Sequence, residues 1–386
     1  MNVAIIGGGI SGVLIALLLK RGNKNIEVSI FEKENKLLKK LMVTGNGRCN
    51  LGNTLLDSNS YNNKNTFDIY NSFNYVQQIK LLNSFGIYTR DINNLYYPYS
   101  LSAKNLCENL LFLLNYYKVV INLESQLIDY HLEKNKYHLF LKDKKIDETF
   151  DYLIITSGGL TYYKSSYNTS IYKLLEKHGY EINDLRVGLN AIKVEENVKT
   201  LENLRVKCIA SLIYNNEILY KENGEVIFKK DGISGICVFN ILSIIQRKRL
   251  KGNITISLNI VNDLNDLKNI TNSSLFKEKY LEGLFDKRLS LYIKNYCKKN
   301  NLNLFDALNN LSFTYKEPYD FNSGQVSIGG VSYSNLDENN FSFLEKNVGF
   351  AGEILDSDGL CGGYNLMFCI ASSQLIANQI LKLFKI

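Results

Sequence analysis

The stretch NVAIIGGGISGVLIALLLKRG, residues 2–22, joins a short apolar run to a glycine cluster and then to a longer apolar run. The first run is short and β-branched, which predicts a buried strand at 2–6. The second run predicts a buried helix that ends at Gly22. A strand, a glycine turn and a helix in this order are typical of the first half of a βαβ unit.

Three glycines and one acidic residue give this unit the spacing of a dinucleotide-binding fold. Gly7, Gly9 and Gly12 stand in G-x-G-x-x-G register, and Glu32 lies 20 residues after Gly12 in a second predicted strand, 26–33. The glycines allow a tight turn, a close approach of the backbone to a pyrophosphate, and close packing of helix on strand. The phosphates bind at the helix N-terminus, and the acid accepts hydrogen bonds from the ribose. The pattern predicts a dinucleotide, either FAD or NAD, with a purely structural glycine turn as the alternative.

Length and composition indicate a globular protein of two or three domains. The chain has 386 residues, of which 45% are hydrophobic and 22% charged. Seven scattered cysteines without a CxxC pair argue against a disulfide framework and against structural zinc, and no metal site is predicted. The N-terminus lacks the basic region of a signal peptide, and no apolar run reaches the roughly 18 residues of a membrane span. We therefore expect a cytoplasmic protein.

The net charge of +7 is mildly basic and compatible with anionic ligands. It is too weak on its own to predict a nucleic-acid partner. The densest basic run, QRKRLKG at 246–252, is interpreted as a solvated face, with a phosphate or nucleic-acid patch as the alternative.

Further glycine-rich stretches occur far from the first one. TGNGRCNLGN occupies 44–53, SGG follows a predicted strand at 157–159, and GLCGGYN at 359–365 opens the last predicted helix. That helix offers a second N-terminus with free backbone amides. A flavin needs donors along its ring and ribityl chain as well as at its phosphates, so two distant halves that converge on one ligand favour FAD over NAD.

The combination IIGGGISG, TGNGRCNLGN, ITSGG, IGGV and FAGEILDSDGLCGGYN resembles the aminoacetone oxidase / BaiN-like family of FAD-dependent oxidoreductases. The resemblance implies an α/β fold in which a Rossmann-type FAD-binding domain is interrupted by an inserted substrate domain of β-barrel type with a small helical part. The implied boundaries are 1–186 and 321–386 for the FAD domain and 187–320 for the insert, β-rich over 187–262 and helical over 263–312.

The resemblance also implies a cofactor-binding set, carried over position by position. It comprises Gly7, Gly9, Ile10, Ser11, Gly12, Glu32 and Lys33 for the ADP half, Gly45, Asn46, Gly47, Arg48, Cys49 and Asn50 along the flavin, Gly158 and Gly159 on the adenine–ribose side, and Gly352, Glu353, Gly362, Gly363, Tyr364 and Asn365 facing the ribityl chain and ring. Arg48 is expected to offset negative charge on the reduced flavin or the pyrophosphate, with a structural ion pair as the alternative. Cys49 is expected to be an inert thiol rather than a nucleophile.

The chain departs from the family pattern inside the insert. Lys229 and Lys230 stand where relatives carry Thr and His, and Ile236 stands where they carry Pro. Any substrate chemistry that uses that His is therefore closed to this chain. The rest of the insert predicts strands near 187–196, 206–215, 225–230 and 254–261, and helices at 234–250, with Ser234 as N-cap, at 273–299 and at 304–311.

These observations predict an enzyme, an FAD-dependent oxidoreductase that transfers a hydride between flavin N5 and a small organic substrate by amine oxidation or enone-type reduction. The catalytic residues are not identified; Arg48, Lys230 and Tyr364 are candidates. Because the chain has no second G-x-G-x-x-G unit, NAD(P)H could act only as a transient electron donor, and oxygen is the alternative electron acceptor. Two other classes stay open: a flavin-bearing RNA-binding or RNA-modifying protein, and an NAD-dependent dehydrogenase without flavin.

Overall fold

The computed structural model describes residues 1–55, 58–161, 170–261 and 281–384 and divides the chain into two compact units. The first unit comprises Met1–Arg186 and Val326–Ile386, and the second comprises Val187–Gln325. The second unit is therefore an insertion in the sequence of the first. The first eight residues of the helix predicted at 273–299 lie outside the described residues.

The strands and helices are numbered here in chain order. The strands are β1 (Asn2–Ile6), β2 (Glu27–Phe31), β3 (Gly52–Asn53), β4 (Thr89–Ile92), β5 (Leu95–Pro98), β6 (Val120–Asn122), β7 (Leu127–Glu133), β8 (Lys136–Leu141), β9 (Thr149–Phe150), β10 (Tyr152–Ile155), β11 (Ile182–Gly188), β12 (Ile192–Val194), β13 (Arg205–Tyr214), β14 (Glu217–Lys229), β15 (Gly232–Ser234), β16 (Ile254–Asn259), β17 (Leu311–Pro318), β18 (Val326–Val331) and β19 (Val348–Phe350). The helices are α1 (Ile10–Gly22), α2 (Lys64–Ser72), α3 (Tyr75–Ser84), α4 (Ala103–Tyr116), α5 (Ser170–Lys177), α6 (Ile236–Arg247), α7 (Leu281–Leu284), α8 (Lys287–Asn300), α9 (Leu304–Asn309) and α10 (Tyr364–Lys382). Among the described residues no helix combines the length and apolar character needed to cross a bilayer.

A parallel five-stranded sheet in the order β19-β10-β1-β2-β6 forms the centre of the first unit. The predicted strand–helix–strand unit at the N-terminus is confirmed as β1, α1 and β2. Helix α1 is buried from Ser11 to Lys20, which accounts for its wholly apolar sequence over 13–19, and at its end a Cβ on Gly22 would come within 2.5 Å of the Leu381 side chain on α10. The last helix of the chain therefore packs directly on the first one.

Six antiparallel strands close a barrel in the second unit, in the order β12-β15-β14-β13-β16-β17. Together with the parallel sheet this confirms the predicted α/β class with an inserted barrel. Strand β17 was not predicted, because its short alternation of Leu311, Phe313 and Tyr315 follows the helical run of α9 directly.

The prediction of Ser234 as the N-cap of a helix is wrong. Ser234 is the last residue of β15 and pairs with Ile227, whereas helix α6 begins after Gly235 without a side-chain cap. Gly235 has φ +121°, and a Cβ there would lie 2.1 Å from the carbonyl oxygen of Glu225. A sharp glycine turn thus replaces the serine cap.

A polar network surrounds His178 in the first unit. Its Nδ1 lies 3.0 Å from the Glu345 carboxylate and its Nε2 lies 3.0 Å from that of Asp129. The Tyr130 hydroxyl donates to Glu345 at 2.7 Å, and the Tyr130 ring stacks on the imidazole at 3.9 Å. Burial on its own raises the pKa of Asp129, but hydrogen bonds from Lys177, His178 and the Tyr130 N–H outweigh it and lower that pKa to about 2.

We expect Asp129 to contribute to acid sensitivity. Its folded pKa of about 2 lies below the ordinary value of 3.8, so its stabilisation is complete above about pH 4 and is lost as the pH falls towards 2. Urea unfolding at pH 5 and at lower pH values should show a shallower loss of unfolding free energy for Asp129→Asn than for the wild type. Parallel pH profiles of the two proteins would contradict the assignment.

Candidate functional site

The carboxyl ends of four parallel strands meet at one edge of the central sheet. β1 ends before Gly7, β2 before Glu32, β10 before Thr156 and β19 before Ala351. In open parallel sheets, ligands bind outside these ends. The sheet therefore brings together predicted site segments that are hundreds of residues apart in the sequence.

The first glycine cluster packs tightly against the turn after β10. Gly7 has φ +113°, and a Cβ there would lie 2.5 Å from the Thr156 carbonyl oxygen. The Thr156 hydroxyl donates to the Gly7 carbonyl oxygen at 2.9 Å, and a Cβ on Gly12 would lie 2.1 Å from that same oxygen. The first and third glycines are thus required by close contacts, as the motif predicts.

The N-terminus of α1 is open at Gly9. Gly9 is the N-cap residue, makes no side-chain cap, and has open space around it, because a Cβ there would meet no atom within 4 Å. Helices α2, α3 and α4 are by contrast capped by the side chains of Asn63, Asn74 and Ser102. The first amides of α1, beginning with Ile10, lack intrahelical partners and favour an anion.

Glu32 and Lys33 follow directly after β2. The Glu32 carboxylate accepts the N–H of Gly8 at 2.7 Å through Oε2 and that of Glu34 at 2.9 Å through Oε1. Each oxygen keeps a lone pair with which it can accept a ribose hydroxyl. The Lys33 ammonium lies 4.0 Å from the Glu34 carboxylate, and burial lowers the pKa of Lys33.

The segment 41–50 turns its backbone outward. A 3₁₀ helix over Leu41–Gly47 is broken after Thr44, where Gly45 and Asn46 adopt φ +57° and +53° and Gly47 adopts +79°. These three residues are exposed, so their peptide groups can contact a flat ligand. This segment therefore contains the predicted loop, which is formed by three consecutive residues in the left-handed backbone conformation.

Cys49 and Asn50 end this segment inside the fold. The Cys49 side chain is fully buried, and burial raises the pKa of its thiol to about 12. A thiol with so high a pKa is a poor nucleophile. The Asn50 side chain accepts the N–H of Gly52 at 3.2 Å and so shapes the turn into β3.

The turn after β10 carries an unpartnered polar group. The hydroxyl of Ser157 is buried and has no hydrogen-bond partner in the part of the chain that the structure describes. Beside it, Gly158 has φ +74° and open space at its Cβ position, whereas a Cβ on Gly159 would lie 2.4 Å from the Ser327 hydroxyl. A buried hydroxyl without a protein partner, next to open backbone, leaves a hydrogen-bond position for a ligand or water atom.

Gly352 and Glu353 connect the end of β19 to neighbouring segments of the site. The Glu353 carboxylate pairs with the Lys40 ammonium at 2.5 Å and accepts the N–H of Ser327 at 2.8 Å. The preceding residue, Gly352, has φ +78°, and a Cβ there would lie 2.4 Å from the Ser11 hydroxyl on α1. The start of α1, the segment after Lys40 and the end of β19 are therefore in direct contact.

The second glycine-rich helix start packs on β3. Gly363 has φ +94°, and a Cβ there would lie 2.5 Å from the Cα of Gly52. Gly362 has φ +133°, with the Asn53 side chain 3.3 Å from its Cβ position. Helix α10 then begins at Tyr364 without a side-chain cap. Residues 44–53 and 359–365 thus lie together, as one shared ligand requires.

Tyr364 and Asn365 hold this junction in place. The Tyr364 hydroxyl donates to the Leu55 carbonyl at 2.7 Å. The Asn365 side chain accepts the N–H of Gly359 at 2.8 Å and donates to its carbonyl at 3.0 Å. The structure thus gives both side chains contacts that fix the loop.

Tyr97 and Arg90 are site residues that sequence reasoning missed. They are direct cross-strand partners in the β4–β5 hairpin, and β5 also pairs with β3. Burial raises the pKa of the Tyr97 phenol, the nearby Arg48 guanidinium lowers it, and the Cys361 thiol raises it. Tyr97 follows Tyr96, which pairs with Gly52 at the end of the 44–53 loop, so strand pairing places Tyr97 near that loop.

Arg48 and Arg90 differ in their surroundings. Arg48 is exposed and has no carboxylate within ion-pair distance among the described residues. Arg90 stacks its guanidinium 3.9 Å from the centre of the Tyr99 ring, and its buried Nε has no hydrogen-bond partner within the described ranges. Among the residues that the structure describes, the structural ion pair that was the alternative for Arg48 is not present. No sequence motif marks Tyr97 or Arg90, since only the pairing of strands brings them here.

The residues at this edge fit FAD. A long ligand with a pyrophosphate and a flat polar ring needs an uncapped helix end, backbone that can be approached closely, and unpaired donors. Gly9 provides the uncapped helix end, and Gly47 and Gly158 provide backbone that a ligand can approach closely. Ser157 and Arg48 provide the unpaired donors. All of them belong to the first unit.

The candidate Lys230 belongs to the second unit. Lys230 is exposed in the turn between β14 and β15. The preceding Lys229 lies 5.7 Å from the centre of the Tyr319 ring, whose hydroxyl donates to Asp231. These two lysines are thus part of a surface cluster on the barrel.

Comparisons with known proteins agree with this fold. The sequence matches the family described as "HI0933-like protein Rossmann domain" over residues 1–379. It is 25% identical over 400 residues to the 3-dehydro-bile acid delta(4,6)-reductase of Clostridium scindens, with 97% of each chain covered. It is 23% identical over 409 residues to the ribosomal RNA dihydrouridine synthase of Haemophilus influenzae, again with 97% of each covered.

A solved structure shares the overall fold. The 3-ketosteroid delta1-dehydrogenase of Sterolibacterium denitrificans, in complex with 1,4-androstadiene-3,17-dione, superposes with a TM-score of 0.54. The match covers 98% of this chain and 99% of that one at 9% sequence identity. At this identity the likeness shows the fold alone.

Proposed function

Because the chain belongs to the HI0933-like family and is an FAD-dependent oxidoreductase, we propose that it reduces a carbon–carbon double bond conjugated to a carbonyl in a small organic substrate. The observations that carry this proposal are the exposed guanidinium of Arg48 in the predicted flavin loop and the place of Tyr97 on β5, next to Tyr96, which pairs with Gly52 at the end of that loop. FAD, when bound, supplies hydride transfer at N5.

The two side chains suit the charge that such a reduction creates. When a hydride adds to the far carbon of an enone, negative charge develops on the carbonyl oxygen, and the neighbouring carbon then takes a proton. A fixed guanidinium stabilises the developing oxyanion, and a positioned phenol can donate the proton. Arg48 and Tyr97 are assigned these two roles.

The protonation state of Tyr97 favours reduction over amine oxidation. Amine oxidation by hydride transfer starts from the neutral amine, so an ammonium substrate first needs a group that accepts its proton. Burial raises the pKa of Tyr97 above its ordinary value of 10.0, so the phenol stays protonated at neutral pH and acts as a donor. Arg48 is a cation and cannot serve as a base.

The names of the relatives support the same reaction class. The C. scindens relative is named a reductase of a 3-dehydro compound, that is, a 3-oxo compound with ring double bonds. The residues that bind the cofactor are proposed to be those of the predicted set, with the pyrophosphate at the start of α1 and the flavin beside 44–50 and 359–365. The second unit, Val187–Gln325, is proposed as the substrate domain.

Reduction of uridine in RNA is the second candidate, and the H. influenzae relative carries that name. Dihydrouridine is uridine whose ring double bond, conjugated to a carbonyl, has been reduced, so the chemistry is shared. The exposed Lys248 and Arg249 at the end of α6 supply positive charge. RNA binding whose affinity falls steeply with salt would favour this candidate, and salt-independent turnover of a small enone would favour the first.

Anaerobic flavin spectroscopy tests the reaction class. The purified protein is reduced with NADH, NADPH or dithionite and then mixed with a steroid-type enone, with RNA, or with buffer. We expect the enone to reoxidise the flavin, and we expect small amines to leave the oxidised flavin unreduced. Bleaching by amines without reoxidation by enones would contradict the proposal.

Matched variants test the two residues. Arg48→Gln and Tyr97→Phe should each slow reoxidation by the enone about 100-fold, the usual loss for one oxyanion donor or one general acid. Tyr99→Phe is the control, because it removes a phenol hydroxyl from an exposed side chain next to the same hairpin. Equal rates for Tyr97→Phe and Tyr99→Phe would remove Tyr97 from the mechanism.

A further inference from the structure

The outer face of the β7–β8 hairpin carries two histidines directly opposite each other. His131 on β7 is paired with His138 on β8. Side chains alternate between the two faces of a strand, and the neighbouring Tyr130 and Tyr137 point inward and are buried. The histidines therefore share the solvent face, together with Glu133 two residues further along β7.

The three side chains converge on a single point. The imidazole rings are parallel within 5°, with centroids 4.9 Å apart. Their Nε2 atoms lie 3.8 Å and 4.0 Å from the same oxygen of Glu133, Oε2. One ligand atom from each residue falls within 4.8 Å of the other two.

We propose that His131, Glu133 and His138 bind a divalent transition-metal ion of the zinc type. In tetrahedral coordination with bonds of about 2.0–2.1 Å, neighbouring ligand atoms lie about 3.3 Å apart. The separations from Glu133 exceed this by less than 1 Å, which rotations of exposed side chains can supply. Two imidazoles and a carboxylate complete three positions, and water takes the fourth.

The donor set selects the class of ion. Imidazole nitrogen suits zinc, nickel and copper, whereas magnesium and calcium prefer sites built from oxygen alone. The site is held by backbone pairing, because the hairpin register fixes His131 against His138, and Lys134 and Asn135 make the turn with φ +50° and +62°.

A lysine nearby competes weakly with the ion. The Lys134 ammonium lies 3.7 Å from Oε1 of Glu133, the oxygen that does not face the histidines. The Lys134 side chain is 90% exposed, and exposed ion pairs contribute little stability. Lys134 therefore leaves Oε2 available and provides a matched control.

Metal binding would join the two strands of a hairpin that is already docked on the rest of the first unit. Its inner face is docked by the hydroxyl of Tyr137, which donates to the Lys346 carbonyl at 2.5 Å, and by that of Tyr130, which donates to Glu345. An ion on the outer face joins β7 to β8 and so stabilises this docked pair. Binding to the native state alone raises the apparent stability.

Calorimetric titration of the tag-free FAD-bound protein with zinc chloride tests the site. For the wild type we expect one zinc ion per chain in the titration and a rise in the melting temperature when zinc is added. His138→Gln and Glu133→Gln should each weaken zinc binding at least tenfold and abolish the rise in melting temperature. Lys134→Gln should keep both the zinc affinity and the rise in melting temperature of the wild type. The free cysteines are present in every variant, so the differences between variants report the hairpin alone.

The result that overturns the proposal is equal zinc affinity in the wild type, His138→Gln and His131→Gln. Equal affinity of the wild type for magnesium and zinc would also overturn it, since a nitrogen-containing site discriminates between them. All three side chains are substantially exposed, so loss of folding is not expected from these substitutions.

Discussion

Gly9→Ala is expected to lower FAD affinity about 100-fold, or about 2.7 kcal/mol, while leaving the stability of the apoprotein unchanged. The backbone at Gly9 has φ −75°, which alanine adopts readily, and the added methyl group would meet no protein atom within 4 Å. The same open space is where the pyrophosphate is proposed to bind at the start of α1. The methyl group would therefore collide with a pyrophosphate bound at the proposed position, while meeting no protein atom.

Two measurements separate binding from folding in this variant. Titration of apoprotein with FAD gives the affinity, and urea unfolding of apoprotein gives the stability, which we expect to change by less than about 0.5 kcal/mol. Gly283→Ala is the control, because its Cβ position in α7 is equally open and lies in the other unit. FAD affinity equal to that of the wild type in Gly9→Ala would place the pyrophosphate elsewhere.

Gly363→Ala is expected to destabilise the protein by about 3–5 kcal/mol and to reduce FAD binding with it. The residue has φ +94°, which costs an alanine about 1–3 kcal/mol in strain. In addition the methyl group would lie 2.5 Å from the Cα of Gly52, where backbone meets backbone and neither side can move away cheaply. Relief of this clash requires α10 to separate from β3.

Gly362→Ala is the matched comparison for this second prediction. Its φ of +133° is also strained, but its Cβ position faces side chains and not backbone: Asn53 at 3.3 Å and Tyr364 at 3.4 Å. Urea unfolding should therefore show a smaller loss for Gly362→Ala than for Gly363→Ala. Equal losses of unfolding free energy would mean that backbone strain alone destabilises both variants and that the contact with Gly52 adds nothing.

The nucleotide turn could be predicted from the sequence because its requirements are local. Gly7 and Gly12 meet at Thr156, and the spacing alone predicts that they must be glycines. The junction between 44–53 and 359–365 is a long-range contact, and the sequence supplied it only through resemblance to a family. Once it was proposed, the contact between Gly363 and Gly52 supports it in physical terms.

Two features that the sequence did not predict depend on strand pairing: the position of Tyr97 and the pairing of His131 with His138. Tyr97 lies near the 44–53 loop only because β5 pairs with β3 and β4. The registers across β7 and β8 likewise place His131 opposite His138, which a spacing of seven residues does not reveal.

The start of helix α6 was predicted wrongly because it depends on the local backbone geometry. Ser234 looks like a helix cap, yet the glycine after it makes the turn. Hydrophobic periodicity finds elements but not the partners of a strand, so the residues that act across a sheet are the hardest to predict.

Amide hydrogen exchange of the apoprotein with and without FAD tests most directly whether both ends of the chain form one cofactor site. We predict that FAD slows exchange in 7–12, 44–50 and 359–365 together, with one cofactor bound per chain. Protection confined to 7–12, with unchanged exchange in the other two segments, would contradict a shared site.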